Sequence, residues 1–456
     1  RYQYDWAATS SGRTKEYRAN FGNPLDHDIY KRATTHDWQD EVMGDTPMSY
    51  MTNVTVGGGS DKLRFNTSLT HNDDRGIIMG SGVRRTNLNT KISVQLSPKL
   101  KLLLNPRFSY RRDTGAGGDN IGSGGIIDVL RYRPTNGLRE FACWDPETVD
   151  PDDEAIFEYT NPRSDINQNV QLKHSYSYTN QFNLEWTPIK GLTLKTEAAH
   201  FISFSDQNRF YGAMTKKGQE HNKLPFASIK NNRVEKYTWT NTATYGFDLN
   251  NVHNFFFLLG QEIQHRQNRS DEQQVRYFPR NINADKAFEN MGLGSPYTTT
   301  SSLSTPERTA SFFGQANYNY DHKYLASLTF RTDGSTQFAP GEQWGYFPSI
   351  SGAWVLTREG FLENNKIISN LKLRGAIGMA GNNRISDDMW RYLYTVNTTG
   401  GPGFGETTLN GEQWFGNAGS NNFPNPRIKW ETTLTRNLAI DFGFVGAVFE
   451  EANLEY

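Results

Sequence analysis

Residues 87–96 read NLNTKISVQL, and their alternation decides the fold class. Leu88, Thr90, Ile92, Val94 and Leu96 share one face. Asn87, Asn89, Lys91, Ser93 and Gln95 share the other. Successive side chains of a strand point to opposite sides, so this segment predicts a strand with one apolar and one wet face. Ser97-Pro98-Lys99 then supplies a turn. Leu100, Leu102, Leu104 and Phe108 return in alternation with polar residues, Leu103 and Pro106 interrupting the pattern, so the pair reads as a hairpin.

The same unit recurs outward from this hairpin. Phe182, Leu184 and Trp186 lead to a turn at 187–191 and back through Leu192, Leu194, Thr196 and Ala198. Tyr237, Trp239, Ala243, Tyr245, Phe247 and Leu249 turn at 250–253 into Phe255, Phe257 and Leu259. Ala316, Tyr318 and Tyr320 turn at 321–323 into Tyr324, Ala326, Leu328 and Phe330. Leu371, Leu373, Ile377 and Met379 continue the series. The expectation is roughly a dozen or more strands of about ten residues, the length that crosses a bilayer when tilted. Long polar segments at 111–178, 203–236, 263–310 and 380–429 alternate with the tight turns. Short turns on one rim and long loops on the other are the pattern of an outer-membrane barrel. Trp186, Tyr237, Trp239, Tyr320, Tyr324 and Trp354 fall at strand ends, where interfacial aromatic girdles sit, although aromatic β-propensity alone also places such residues in strands.

Composition agrees and narrows the field. The chain has 456 residues, 36% hydrophobic and 13% aromatic, with a mean hydropathy of −0.71. Its longest apolar run, Phe255–Leu259, is far below the roughly 18 residues of a spanning helix, whereas a membrane strand needs only alternate apolar positions. A soluble all-β protein, binding or hydrolysing polysaccharide, fits composition equally well. A net charge of −1 gives no basic face for nucleic acid. One cysteine, Cys143, excludes a disulfide framework within the chain. Length alone suggests two to four domains, a prior that large barrels break. The first residues, RYQYDWAATS, lack the charged and apolar regions of a signal peptide.

Motifs for chemistry are absent or better read as loops. The acidic run Asp145–Glu158 lacks EF-hand spacing, and Gly115–Gly125 lacks the Lys-Ser/Thr and helix of a phosphate loop. The nine histidines show no H-E-x-x-H, no G-x-S-x-G occurs, and Cys143 has no legible partner. The expectation is therefore no catalytic residue, no metal ligand, no cofactor and no enzyme activity. Trp390, Tyr392, Tyr394, Trp414 and Phe415 could stack on sugar rings or peptides, or could simply pack a loop, and no substrate-binding residue is assigned from them.

Several stretches resemble the SusC-like (RagA/SusC-type) TonB-dependent outer-membrane transporters. Thr35–Val42 (THDWQDEV) resembles the family's TDWQDE segment. Val56–Ser60 with Leu63–Leu69 resembles its SGGS strand, and Asp74–Ile77 its DEGI turn. Ser311–Leu325 resembles SFFGRVNYSYKDKYL, Arg331–Phe338 resembles RADGSSRF, and Gly345–Trp354 resembles GYFPSVSAAW. Leu371–Asn383 resembles LKLRASYGVTGNN, and Trp430–Thr433 resembles WETT. One departure is Val355, where the family usually has a basic residue. The matches are collinear over most of the chain.

The resemblance implies an antiparallel transmembrane β-barrel of about 22 strands with a plugged lumen, of which residues 1–456 are an incomplete part. No plug domain, TonB box or closing terminal strands are read in the chain, which starts where the family's barrel is already under way. The implied function is TonB-energised import of a glycan, oligosaccharide or peptide across the outer membrane of a Bacteroidota-like bacterium. The implied partners are a SusD-like lipoprotein, TonB through the rest of the protein, outer-membrane lipid, and a possible dimer of barrel–lipoprotein pairs. The alternatives are a passive porin, a structural or adhesive barrel, or a single-chain siderophore-type receptor. Three facings are expected from the unbroken period of two. Leu88, Ile92 and Val94, Phe182 and Leu184, and Leu328 and Phe330 face lipid. Asn89, Lys91, Asn183, Ser327 and Arg331 face the lumen.

Overall fold

The computed structural model describes residues 37–43, 47–115, 162–362, 367–386, 388–391, 395–397, 415–417, 424–444 and 447–455. They form one antiparallel meander of sixteen strands. In order these are β1 (Ser49–Gly59), β2 (Leu63–Arg75), β3 (Gly82–Ser97), β4 (Leu100–Leu104), β5 (Arg107–Gly115), β6 (Asn169–Trp186), β7 (Leu192–Tyr211) and β8 (Phe226–Leu249). There follow β9 (His253–Arg276), β10 (Ser295–Leu303), β11 (Glu307–Tyr320), β12 (Tyr324–Ser335), β13 (Trp344–Val355) and β14 (Ile368–Asn382). β15 (Thr395–Asn397) and β16 (Phe415–Asn417) pair only with each other, and β17 (Glu431–Phe444) and β18 (Ala447–Glu455) complete the sheet.

Two members of the ladder are interrupted rather than separate. β5 continues β4 in one register: Leu104 pairs Ile92 and Arg107 pairs Asn89. Pro106 between them has no N–H to donate, and its carbonyl accepts from the Thr90 N–H at 3.0 Å. β10 and β11 likewise pair the outer and inner parts of β9.

The expected tight turns all form. Asn250 and Asn251 have φ of 57° and 58°, and Asp321 and His322 have 47° and 55°. Two consecutive left-handed residues match the twist of a two-residue hairpin. Each turn closes by a backbone bond, Val252 to Leu249 at 3.3 Å and Lys323 to Tyr320 at 2.8 Å. These turns share one rim with 98–99 and 187–191, while the longer connections lie on the other.

Strand length departs from expectation. β8 and β9 each have 24 residues, roughly 80 Å of chain, more than twice the length that crosses a bilayer. Most of 203–236 and 263–310, expected as loop, is therefore strand. So are 111–115 and 169–178 at the ends of the 111–178 segment, and Ala380–Asn382 in β14. Beyond the membrane both faces of a strand meet water, so the hydrophobic alternation fades while the backbone ladder continues. The true connections are 212–225, with α3 (Lys216–Glu220), and 277–294, with α4 (Ala284–Glu289); the helices α1 (Trp38–Val42) and α2 (Pro162–Gln168) lie earlier in the chain.

Cross-strand partners place side chains on faces without ambiguity. Phe65, Ile92, Leu104, Phe182, Ala198, Trp239 and Ile263 pair in succession across seven strands. From β9, Phe257, Ala316, Leu328, Ile350 and Ile377 carry the row across four more. All seven residues expected to meet lipid lie on this face, and Asn89, Lys91, Asn183, Ser327 and Arg331 lie on the other. Among the described residues nothing covers the apolar face, with Leu328 56% and Leu438 68% exposed, whereas Asn183 opposite is 4% exposed. So broad an apolar exterior is untenable in water and is what a bilayer requires.

Aromatic residues bound it. Trp344 and Trp354 share this face ten residues apart on β13, about 33 Å of strand. At a tilt near 45° that is a height of about 24 Å, matching a membrane barrel's apolar band. At the tight-turn rim Tyr324 stacks on Trp354 at 6.2 Å, and both donate to Glu359 Oε1, at 2.6 and 3.0 Å. At the other rim His200 stacks on Tyr237 at 4.5 Å, and both contact Glu235.

Candidate functional site

The polar face is the functional candidate. Many of its charges are paired at short range. Lys195 meets Glu197 at 2.9 Å, Lys230 meets Glu272 at 3.3 Å, Arg266 meets Glu307 at 3.6 Å, and Arg374 meets Asp441 at 3.1 Å. Amides and hydroxyls bridge between them: Gln181 donates to Glu197 at 2.6 Å and Thr240 to Glu262 at 3.0 Å. Half-exposed pairs of this kind add little stability, about 0–1 kcal/mol each. Their consequence is a wet, hydrogen-bonding wall suited to polar solutes.

Two aromatic clusters interrupt this wall, and periodicity alone did not reveal them. Phe313 is a register partner of Gly260, and a Cβ on that glycine would come within 2.3 Å of the ring. Only glycine lets the ring lie flat there. The Arg331 guanidinium sits 5.3 Å above the same ring. It bonds both Asp333 carboxylate oxygens through Nε at 2.9 and 2.8 Å and Ser311 Oγ at 3.2 Å. The second cluster joins Trp430 to Phe338 at 5.3 Å and to Phe347 at 5.5 Å, its indole N–H donating to the Gln343 carbonyl at 2.8 Å. Phe347 fills space above Gly345 and Gly381 that a Cβ would occupy. The stretches SFFG, RTDGS, GYFPS, AGNN and WETT thus converge on one wall. Nearer the tight-turn rim a groove of about 660 Å³ is lined by Asn254, Asn317, Ser327, Ser351, Arg374 and Asn437, among others.

Residues 105–454 match the family described as TonB dependent receptor-like, β-barrel. The chain belongs to that family. A TonB-dependent receptor of Formosa agariphila is 28% identical over 428 residues, covering 92% of this chain and 40% of the relative. The TonB-dependent receptor SusC of Bacteroides thetaiotaomicron is 28% identical over 473 residues, covering 94% and 43%. The chain therefore spans less than half the length of these relatives. Among solved structures, that of the RagAB peptide transporter superposes with a TM-score of 0.73 at 19% identity, covering 97% of this chain and 49% of that one. The protein is an outer-membrane β-barrel, of a family of receptors rather than enzymes.

Within this TonB-dependent receptor barrel, the other sequence candidates are dispersed. Trp390 is described, with the Arg391 guanidinium 4.3 Å over its ring. Phe415 lies in β16. Tyr392, Tyr394, Trp414, Cys143, the acidic run 145–158 and residues 116–125 lie outside the described residues. Among the described residues no group of three His, Cys, Asp or Glu side chains could hold a metal. The perturbed groups at the long-loop rim have structural causes. A hydrogen bond from Ser301, then one from Arg269, holds the Asp271 carboxyl below its usual range. Burial, then the charges of Lys217 and Arg276, holds His221 below the usual imidazole range.

Proposed function

We propose that this chain is the wall of an active importer, which takes up a glycan, oligosaccharide or peptide and is energised through TonB. The continuous polar face, backed by an apolar exterior and with many of its charges paired, carries the reading. A passage lined by amides, hydroxyls and paired charges replaces the hydration of a polar, uncharged solute without trapping it. In this reading the remainder of the protein supplies a plug that seats against the groove near Asn254, Ser327 and Asn437, and TonB acts through it. RagAB is described as a peptide transporter, which supports the peptide class.

A SusD-like lipoprotein is the proposed lid. The connections 212–225 and 277–294 crown strands that rise well beyond the bilayer, a platform for a partner at the long-loop rim. The expected contact exceeds about 1,000 Å², the lower bound for a stable interface. Extraction of the full-length protein from native membranes in mild detergent, followed by mass spectrometry, should recover the lipoprotein with it. Recovery of the barrel alone, with no adjacent lipoprotein gene, would make a single-chain siderophore-type receptor the better reading.

A further inference from the structure

A cavity of about 630 Å³ opens at the long-loop rim between the ends of β2, β3 and β5. Its lining includes Arg75, Arg84 and Arg112 against a single carboxylate, Asp73, so its charged lining is net positive. Ser81, Thr114 and the glycines 76, 80 and 82 complete its polar side, and Ile77 and Ile78 its apolar side.

Pairing within the cavity is incomplete. Asp73 accepts from Arg84 Nε at 3.0 Å and from the Tyr50 hydroxyl at 3.0 Å. Arg112 is the direct cross-strand partner of Arg84, yet its Nε is buried with no hydrogen-bond partner. Two guanidiniums directly opposite each other repel, and a buried unpaired donor costs further free energy. Asp73 offsets one of the two charges. An anion in the cavity would relieve both penalties at once.

The register fixes which anion has access. Asp73, Arg84 and Arg112 lie on the apolar face, four residues beyond Leu69, Leu88 and Phe108 on the same strands. His71, Thr86 and Tyr110 form the intervening row. Four residues of strand are about 13 Å, or about 9 Å in height at a 45° tilt. The cavity therefore stands one headgroup above the hydrocarbon, on the lipid side, at the rim that bears the long loops. Acyl chains would lie along Leu88, Phe108 and Tyr178, and the guanidinium forks match phosphate oxygens.

We infer that Arg75, Arg84 and Arg112 form a binding site for the phosphate headgroup of an acylated glycolipid of the outer leaflet. The site is independent of the import reading, because it needs only outer-membrane placement.

The test uses full-length protein in nanodiscs of phosphatidylcholine doped with bis-phosphorylated lipid A, with its dephosphorylated form, or with neither plus inorganic phosphate. Native mass spectrometry reads retained lipid or anion. The phosphorylated lipid should be retained, and Arg84→Gln/Arg112→Gln should weaken retention by at least about tenfold, the loss of one charge-assisted hydrogen bond. Arg84→Lys/Arg112→Lys keeps the charge but loses the fork, and should retain an intermediate amount. Heat-modifiable gel mobility confirms that each variant is folded. Equal retention of the dephosphorylated lipid, or retention unaffected by the glutamine pair, would overturn the site. Binding of inorganic phosphate without the lipid would overturn the lipid assignment.

Discussion

His221 shows how one residue can tie titration to the long-loop rim. It is 6% exposed, stacks on Phe226 at 4.9 Å and meets the edge of Tyr297 at 5.2 Å. Its Nε2 is buried without a hydrogen-bond partner. Burial first, then Lys217 and Arg276, disfavours its charged form, and only Glu220 opposes them. The folded pKa thus lies below the ordinary imidazole value of 6.5. The opened segment binds a proton that the closed one refuses, so stability is complete above about pH 6.5 and falls as pH drops below it toward the folded pKa. Hydrogen exchange over 212–225, corrected for intrinsic rates, should show protection lost on acidification through that window. His221→Phe should flatten the dependence, and a pH response unchanged in that variant would assign it elsewhere.

At the scale of the strand, β12 offers the sharpest test of facing. Leu328 pairs Ala316 and Ile350 on the apolar face, while Ser327 pairs Asn317 and Ser351 on the polar one. Gln315, Asn317 and Ser327 share hydrogen bonds there at 2.6–3.4 Å. Leu328→Arg should destabilise the barrel by about 2–4 kcal/mol near mid-membrane, and Ser327→Arg by far less. Urea unfolding in lipid vesicles measures both, and equal losses would contradict the assigned register. The hairpin turns and the alternation of Leu88–Leu96 and Leu328–Phe330 were legible because turn chemistry and period-two patterning are local. The outer halves of β8 and β9 were not, because stretches such as Lys230–Arg233 are polar on both faces and their ladder is visible only through its partner strand.

The molecule as a whole depends on closure. The described sheet runs from β1 to β18, and these two strands do not pair with each other. Unpaired backbone groups in hydrocarbon cost several kcal/mol each. A polypeptide of these 456 residues expressed alone is therefore expected to give no heat-modifiable, folded band, whereas the full-length protein gives one. A stable band from the 456 residues would mean that the edges are satisfied in some other way.

Period-two alternation, Asn-Asn and Asp-His turns and the collinear motifs are local properties, so sequence by itself determined the antiparallel barrel, its two faces and the rim that carries the long connections. Only tertiary structure could decide what residues distant in sequence do together. It seated Phe313 on Gly260, brought Trp430 to Phe338 and Phe347, and set Arg84 against Arg112 beside the rim cavity. Each of those arrangements depends on the register between strands, which is a property of pairs of segments and is written in neither one alone.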